Sequence, residues 1–172
     1  MWRYLFIKTY TMKEQFSFEK LLAYKSARKL VNEIYMLQKS FPREEKYALG
    51  DQIRRSSVSV AANLAEGSGR ISAKEKLHFV EISYGSLLEA YCELQLASDL
   101  GYISENAFTN INPKFEETAK LLSGLRSSLL TSINDSKNSK LSTLNSKLSS
   151  CHFFALPTIH FHVQPVVEPS DN

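Results

Sequence analysis

The chain is short of the residues that make crosslinks, metal cages and membrane anchors. Only Cys92 and Cys151 occur among its 172 residues. One sits in a helical pattern and the other in a polar stretch, so neither a disulfide framework nor a four-ligand zinc site is indicated, and a cytoplasmic location is expected. No apolar run approaches the roughly 20 residues that span a bilayer as a helix. The start, MWRYLFIKTYTMKEQ, interrupts its apolar residues with Arg3 and Lys8 and makes a poor signal peptide. The helical pattern begins only after Met12, which is the expected translation start. Apolar residues at 43% and charged residues at 23% describe a globular chain, long enough for one domain with tails and short for two.

Charge of one sign is also scarce, since the formal net charge is only +3. Its distribution says more. Residues 18–41 carry five basic and two acidic groups, whereas residues 71–100 carry two basic and five acidic ones, so the two segments are electrostatic complements. Solvated helix faces that attract weakly account for most such charges.

What the chain has is helical periodicity. Four segments place apolar residues at alternating spacings of three and four. The first runs from Phe18 to Phe41, with Ser17 as N-cap and Tyr24, Ala27, Val31 and Ile34 on a seam widened by Leu30 and Leu37. Pro42 closes it, and a second helix is expected from residue 43 to Glu66, with Ile53, Val60 and Leu64 as a narrow seam. Its stretch QIRRSSVSVAANLAEGSGR is rich in serine and alanine, which let another helix approach closely, and Gly67 and Gly69 end it. The third helix opens with a capping box, Ser72 and Glu75, carries Leu77, Val80, Tyr84, Leu87, Tyr91 and Leu94, and closes near Leu100 with Gly101 in the left-handed conformation. The fourth follows Ser104 through Phe108, Ile111, Phe115, Leu122, Leu125 and Leu129 to about Ile133, with Pro113 expected to kink or split its first turns. Gaps of two to eight residues join antiparallel neighbours. The fold class is therefore all-α: an antiparallel up-down-up-down four-helix bundle over residues 17–133, around a dry interior of apolar side chains. Residues 1–16 form an N-terminal extension. Residues 134–172 read as a low-complexity C-terminal tail in which NSKLS recurs with a period of seven; Leu141, Leu144 and Leu148 offer a two-turn extension of the helix, but the serine and asparagine content favours disorder.

Catalytic and metal-binding patterns are thin. Glu75 and His78 make one E-x-x-H pair, where a di-iron bundle needs two and further inward glutamates. Cys151, His152, His160 and His162 have no rigid turn between them to form a zinc site. Cys92 has no histidine at helical spacing, and GSGR after Glu66 lacks the GxxxxGK[ST] phosphate loop. No enzyme, metal or cofactor is expected. The basic groups are better candidates: Lys25, Arg28 and Lys29 on the first helix, Arg54 and Arg55 on the second, and Arg70 after it are suited to phosphates. Arg54 or Arg55 is equally suited to pair with Asp51, or with the Glu89 and Glu93 face of a neighbouring subunit.

Two motifs, FPREEKYALGDQIRRSSVSVAANLAEGSGR at residues 41–70 and EISYGSLLEAYCELQLASDLGYIS at 81–104, resemble the 23S rRNA intervening-sequence proteins in order and spacing. That bacterial four-helix-bundle family includes the accessory variability proteins of diversity-generating retroelements. The resemblance implies a homo-oligomer, commonly a pentamer, without catalytic residues; its retroelement branch binds a reverse transcriptase and nucleic acid through basic surfaces. It places Arg54 and Arg55, then Lys25, Arg28 and Lys29, among candidate contacts to RNA, DNA or a protein that processes them, with Ser59, Asn63, Glu66, Glu89 and Glu93 as candidate subunit contacts. A purely structural oligomer is the alternative. The family typically has a proline where Ala61 stands here, which implies a straighter second helix, and Pro113 is unusual for it.

Overall fold

A computed structural model describes residues 16–151, with side chains through residue 144. The segments preceding Phe16 and following Cys151, including Met12 and the His152, His160 and His162 cluster, lie outside the described residues. Four helices follow one another: α1 (Leu22–Leu37), α2 (Leu49–Ser68), α3 (Ala73–Asp99) and α4 (Glu105–Cys151). Residues through 135 form one compact unit, the bundle, and residues from 136 onward form a second.

The paired contacts fix the order of the helices in the bundle. Between α2 and α3, Ser56 meets Glu93, Ser59 meets Ser86 and Ser83 meets Val60, so the two helices run in opposite directions. Between α3 and α4, Glu81 pairs with Arg126 and Tyr91 packs on Phe115, again antiparallel. Ser26 to Thr118 and Glu33 to Lys114 close the circuit from α1 to α4. The helices thus sit α1–α2–α3–α4 around the axis, with α1 diagonal to α3.

Local chemistry sets the helix ends. Ser72 Oγ accepts the Glu75 amide at 3.2 Å as an N-cap, and its hydroxyl donates to the Glu75 carboxylate at 2.7 Å. At the other end of α3, Gly101 has φ +74°; its amide donates to Ser98 and that of Tyr102 to Ala97, the paired bonds of a Schellman motif. The first helix differs from the sequence expectation. It does not run unbroken from Phe18: a 3-10 turn at Ser17–Lys20 precedes an extended Leu21. The Phe16 amide is capped by Glu19 rather than by Ser17. The break lets the Phe18 ring meet Tyr24 edge-on at 4.8 Å. The second helix starts later than residue 43, because the Pro42 carbonyl accepts the Glu45 and Lys46 amides and builds a separate turn first.

The core draws on every helix: Leu30 and Ile34 of α1, Ile53, Val60 and Leu64 of α2, Leu87 and Leu94 of α3, and Phe115 and Leu122 of α4 are buried. It is not wholly apolar. Ser26, Gln38, Ser56, Ser57, Ser83, Ser86 and Thr118 are buried too, which corrects the expectation of a purely greasy interior. The reason is spacing. Small side chains let α2 and α3 close on one another, as at Gly67, where an added Cβ would lie 2.7 Å from that of Phe79. Hydroxyls fit in such a seam provided each has a partner. Among the described residues no buried side-chain nitrogen or oxygen lacks one.

Two further expectations for α4 are corrected. Pro113 does not split the helix, which is continuous through it. Pro113 and Thr109 are both exposed, so the carbonyl deprived of its amide partner faces water. Nor does the helix stop near Ile133; it runs to Cys151. Its hydroxyl side chains bond inside the helix, Ser142 and Thr143 both donating to the Ser139 carbonyl, so they do not divert the backbone into turns. Leu141 and Leu144 are exposed.

The Ser26–Thr118 bond gives a direct test. Thr118 donates its proton to the Lys114 carbonyl at 2.7 Å, so Ser26 is the donor in the 2.9 Å bond between the two. Ser26→Ala should cost about 1 kcal/mol and Thr118→Val, which strands a buried hydroxyl, about 1–3 kcal/mol. The double substitution should cost less than the sum, as read from urea denaturation.

Candidate binding faces

The paired arginines at the start of α2 are already engaged. Asp51, one turn earlier, sends Oδ1 to Arg54 and Oδ2 to Arg55, each at 2.6 Å. Arg54 is turned inward and half-buried; it also donates to the Lys46 carbonyl at 3.1 Å and to Gln38 Oε1 at 3.2 Å. Gln38 in turn donates to the Gly50 carbonyl, so this guanidinium locks the α1–α2 connection. Of the readings open to it, pairing with Asp51 is the one present within the subunit. Arg55 keeps its outer surface, being 62% exposed. The Arg54 hydrogen bond, with the charges of both arginines, holds the Asp51 carboxyl below its ordinary range. Arg70 is likewise occupied, by Glu66 and by the Phe79 ring 4.7 Å below its guanidinium.

The α1 cations differ. Lys25, Arg28 and Lys29 are all exposed on the outward face of that helix. Among the described residues Arg28 and Lys29 have no ion-pair or hydrogen-bond partner, so on this helix their charge is open to a ligand. Glu33, on the flank, is taken by Lys114.

The five candidate subunit contacts lie on the neighbouring helices α2 and α3. Ser59 shares a 2.9 Å bond with Ser86 and accepts from Asn63 at both its hydroxyl and its carbonyl. Glu66 continues the α2 edge, while Glu89 and Glu93 lie across on α3. Burial pushes the Glu93 carboxyl above its ordinary value, with the Glu89 charge adding to it and the Ser56 hydrogen bond and Arg55 opposing. Ser56 explains the tolerance for that proton. Its single hydrogen has two acceptors in reach, Glu93 Oε2 at 2.7 Å and the Ile53 carbonyl at 3.1 Å, so a protonated Glu93 donates to Ser56 and frees it for Ile53. Ser56 was among the serines expected to allow close helix approach, but Ser86 and Gln38, polar residues in core positions, were missed; the i to i+3 and i+4 spacing of Asp51 to the arginines was the one available signal.

Glu75 and His78 are exposed, and the Ser72 cap lowers the Glu75 carboxyl from its ordinary value. No group of three histidine, cysteine or acidic side chains able to hold a metal occurs among the described residues. No helix among them is long and apolar enough to cross a membrane.

The profile of the 23S rRNA-intervening sequence proteins matches residues 19–124, which include both basic helices and the α2–α3 seam. The chain belongs to that family. Its fold recurs in the crystal structure of a Bacteroides thetaiotaomicron protein of unknown function from the S23 ribosomal protein family, at TM-score 0.57 and 23% identity over 61% of this chain and 98% of that one. At this identity the likeness is one of fold. No curated protein matches. In this intervening-sequence protein the matched segment stops at Gly124, ahead of the serine-rich part of α4.

Glu93 sets a pH dependence. A carboxyl whose folded pKa is raised binds more protons in the native state, so stability falls as pH rises from the ordinary carboxylate value through the raised one. Glu93→Gln should flatten that fall above the ordinary carboxylate range and leave the protein more stable than wild type at neutral pH, as read from thermal denaturation.

Proposed function

We propose that this intervening-sequence protein is a non-enzymatic, self-associating cytoplasmic bundle that binds nucleic acid through the outward face of α1. The observation that carries the reading is the contrast between cations: Arg54 and Arg55 share the Asp51 carboxylate and Arg70 pairs with Glu66 within the subunit, whereas Arg28 and Lys29 stand exposed and, among the described residues, without partners. Association multiplies such a patch, so a subunit of modest charge presents a ring or stripe of it. A nucleic-acid-processing protein such as a reverse transcriptase fits the same reading as a further partner. The displaced carboxyls of Asp51, Glu75 and Glu93 each trace to a local ion pair, cap or burial rather than to a shared pocket, which supports binding over catalysis.

Self-association is supported by Gly85. It lies in the interior of α3, exposed, where an added Cβ would meet nothing within 4 Å. Glycine in a helix interior costs about 1 kcal/mol relative to alanine. Nothing in the subunit requires it. Ile82, Cys92 and Leu96 share its outward stripe, beside the small Ser59 and Ala62 of α2, so the surface suits close approach by a helix of a second copy. Because α1 is diagonal to α3, a copy seated there leaves the α1 face open.

Two measurements test this. In a salt titration of RNA or DNA binding, Arg28→Ala with Lys29→Ala should reduce the log–log slope by about two, whereas Arg54→Ala should lower stability and leave the slope alone. An unchanged slope in the double variant, or no binding at low salt, contradicts the nucleic-acid reading. In light scattering Gly85→Trp should reduce the mass toward that of a monomer; an unchanged mass removes α3 from the interface.

A further inference from the structure

Among the described residues, one end of the bundle is not filled. A cavity of about 270 Å³ opens where the start of the chain's helical region, the end of α2, the start of α3 and the middle of α4 converge. Leu21, Leu64, Val80, Leu125 and Leu129 line it. Leu64 and Val80 are almost wholly buried, and the leucines of α4 are half-buried. Cavities of about 150 Å³ with such walls already take a benzene-sized guest. This one therefore has room for a short alkyl chain, and the close α2–α3 approach at Gly67, which also lines it, shapes one wall.

The polar part of the lining is selective. Lys76 borders the cavity and, among the described residues, has no ion-pair partner, while no carboxylate belongs to the lining. Asn63 adds an amide whose NH2 is committed to Ser59. An apolar cleft with one uncompensated cation at its border complements an amphiphile with an anionic head. From this we infer that the bundle end is a binding site for a single-chain aliphatic carboxylate, its tail among the leucines and its headgroup toward Lys76. The site lies apart from the α1 cations and the Gly85 stripe, and stands whether or not nucleic acid is bound there.

Calorimetric titration of the full chain with octanoate tests it, with octylammonium as the oppositely charged control. Octanoate should bind saturably at one per chain and octylammonium should not. Lys76→Glu, a surface change that leaves the core intact, should weaken octanoate by about tenfold, the size of one charge-assisted contact, and admit octylammonium. Leu129→Trp, which fills the cavity, should abolish binding of octanoate while thermal denaturation remains cooperative. Absence of saturable octanoate binding to the full chain overturns the inference, as does affinity unchanged by Lys76→Glu or by Leu129→Trp.

Discussion

The close approach of α2 to α3 is the constraint on which the rest depends. At Gly67 there is no space for even one more carbon against Phe79. Along the seam from there, bulk is replaced by hydroxyls: Ser83 on the Val60 carbonyl, Ser86 on Ser59, Ser56 on Glu93. Each such bond is worth little net, about 1 kcal/mol, but stranding one of its members costs more. The seam therefore acts chiefly on register. A slip of α3 along α2 by one turn would break the Ser83–Val60 and Ser59–Ser86 bonds while changing apolar burial far less. The same seam brings Glu93 beside Ser56, and half-burial there makes its proton easier to keep.

Closeness on one side of the bundle decides what remains outside. With small residues on both α2 and α3, their outer edges form a shallow platform of Ser59, Ala62 and Gly85 rather than a ridge. On the diagonal helix the packing is of a different kind. Leu30 and Ile34 fill the interior behind α1, and its exposed middle carries Lys25, Arg28, Lys29 and Asn32, with Leu22, Tyr35 and Met36 exposed toward its ends. The bundle thus separates a low-relief face suited to another helix from a charged face suited to anions.

Most of the fold was legible because it depends on periodicity and punctuation. The apolar spacing marked four helices, and Ser72–Glu75 and Gly101 set the limits of α3 to within a residue. What large apolar residues cannot report is rotation. In α3 the buried face turns from the Leu77, Tyr84 and Tyr91 line toward Ser83, Ser86, Ala90 and Ala97, because small residues are the ones that fit nearest α2. The end of α4 was misread for a related reason: serine disfavours helix when its hydroxyl competes for the backbone, and here the hydroxyls bond carbonyls three and four residues back without breaking it. Of the binding faces, the sequence named the residues but not their state. Lys25, Arg28 and Arg54 look alike as letters; only the fold brings Gln38 and the Lys46 carbonyl against Arg54.

That difference bears on how much charge the subunit offers. Arg54 and Arg55 are neighbours in sequence but a helix turns them about 100° apart, so one faces the α1–α2 connection and the other solvent. Asp51 reaches both. Two guanidiniums against one carboxylate leave a single net positive charge, half of what the arginine pair suggests on its own. Because the Asp51 carboxyl is held below its ordinary range, its stabilising effect is present above the unfolded pKa and is lost only as pH falls through the lowered one. At neutral pH the cluster is therefore a fixed structural tie. Arg28 and Lys29, without such partners among the described residues, keep both of their charges on the outward face of α1.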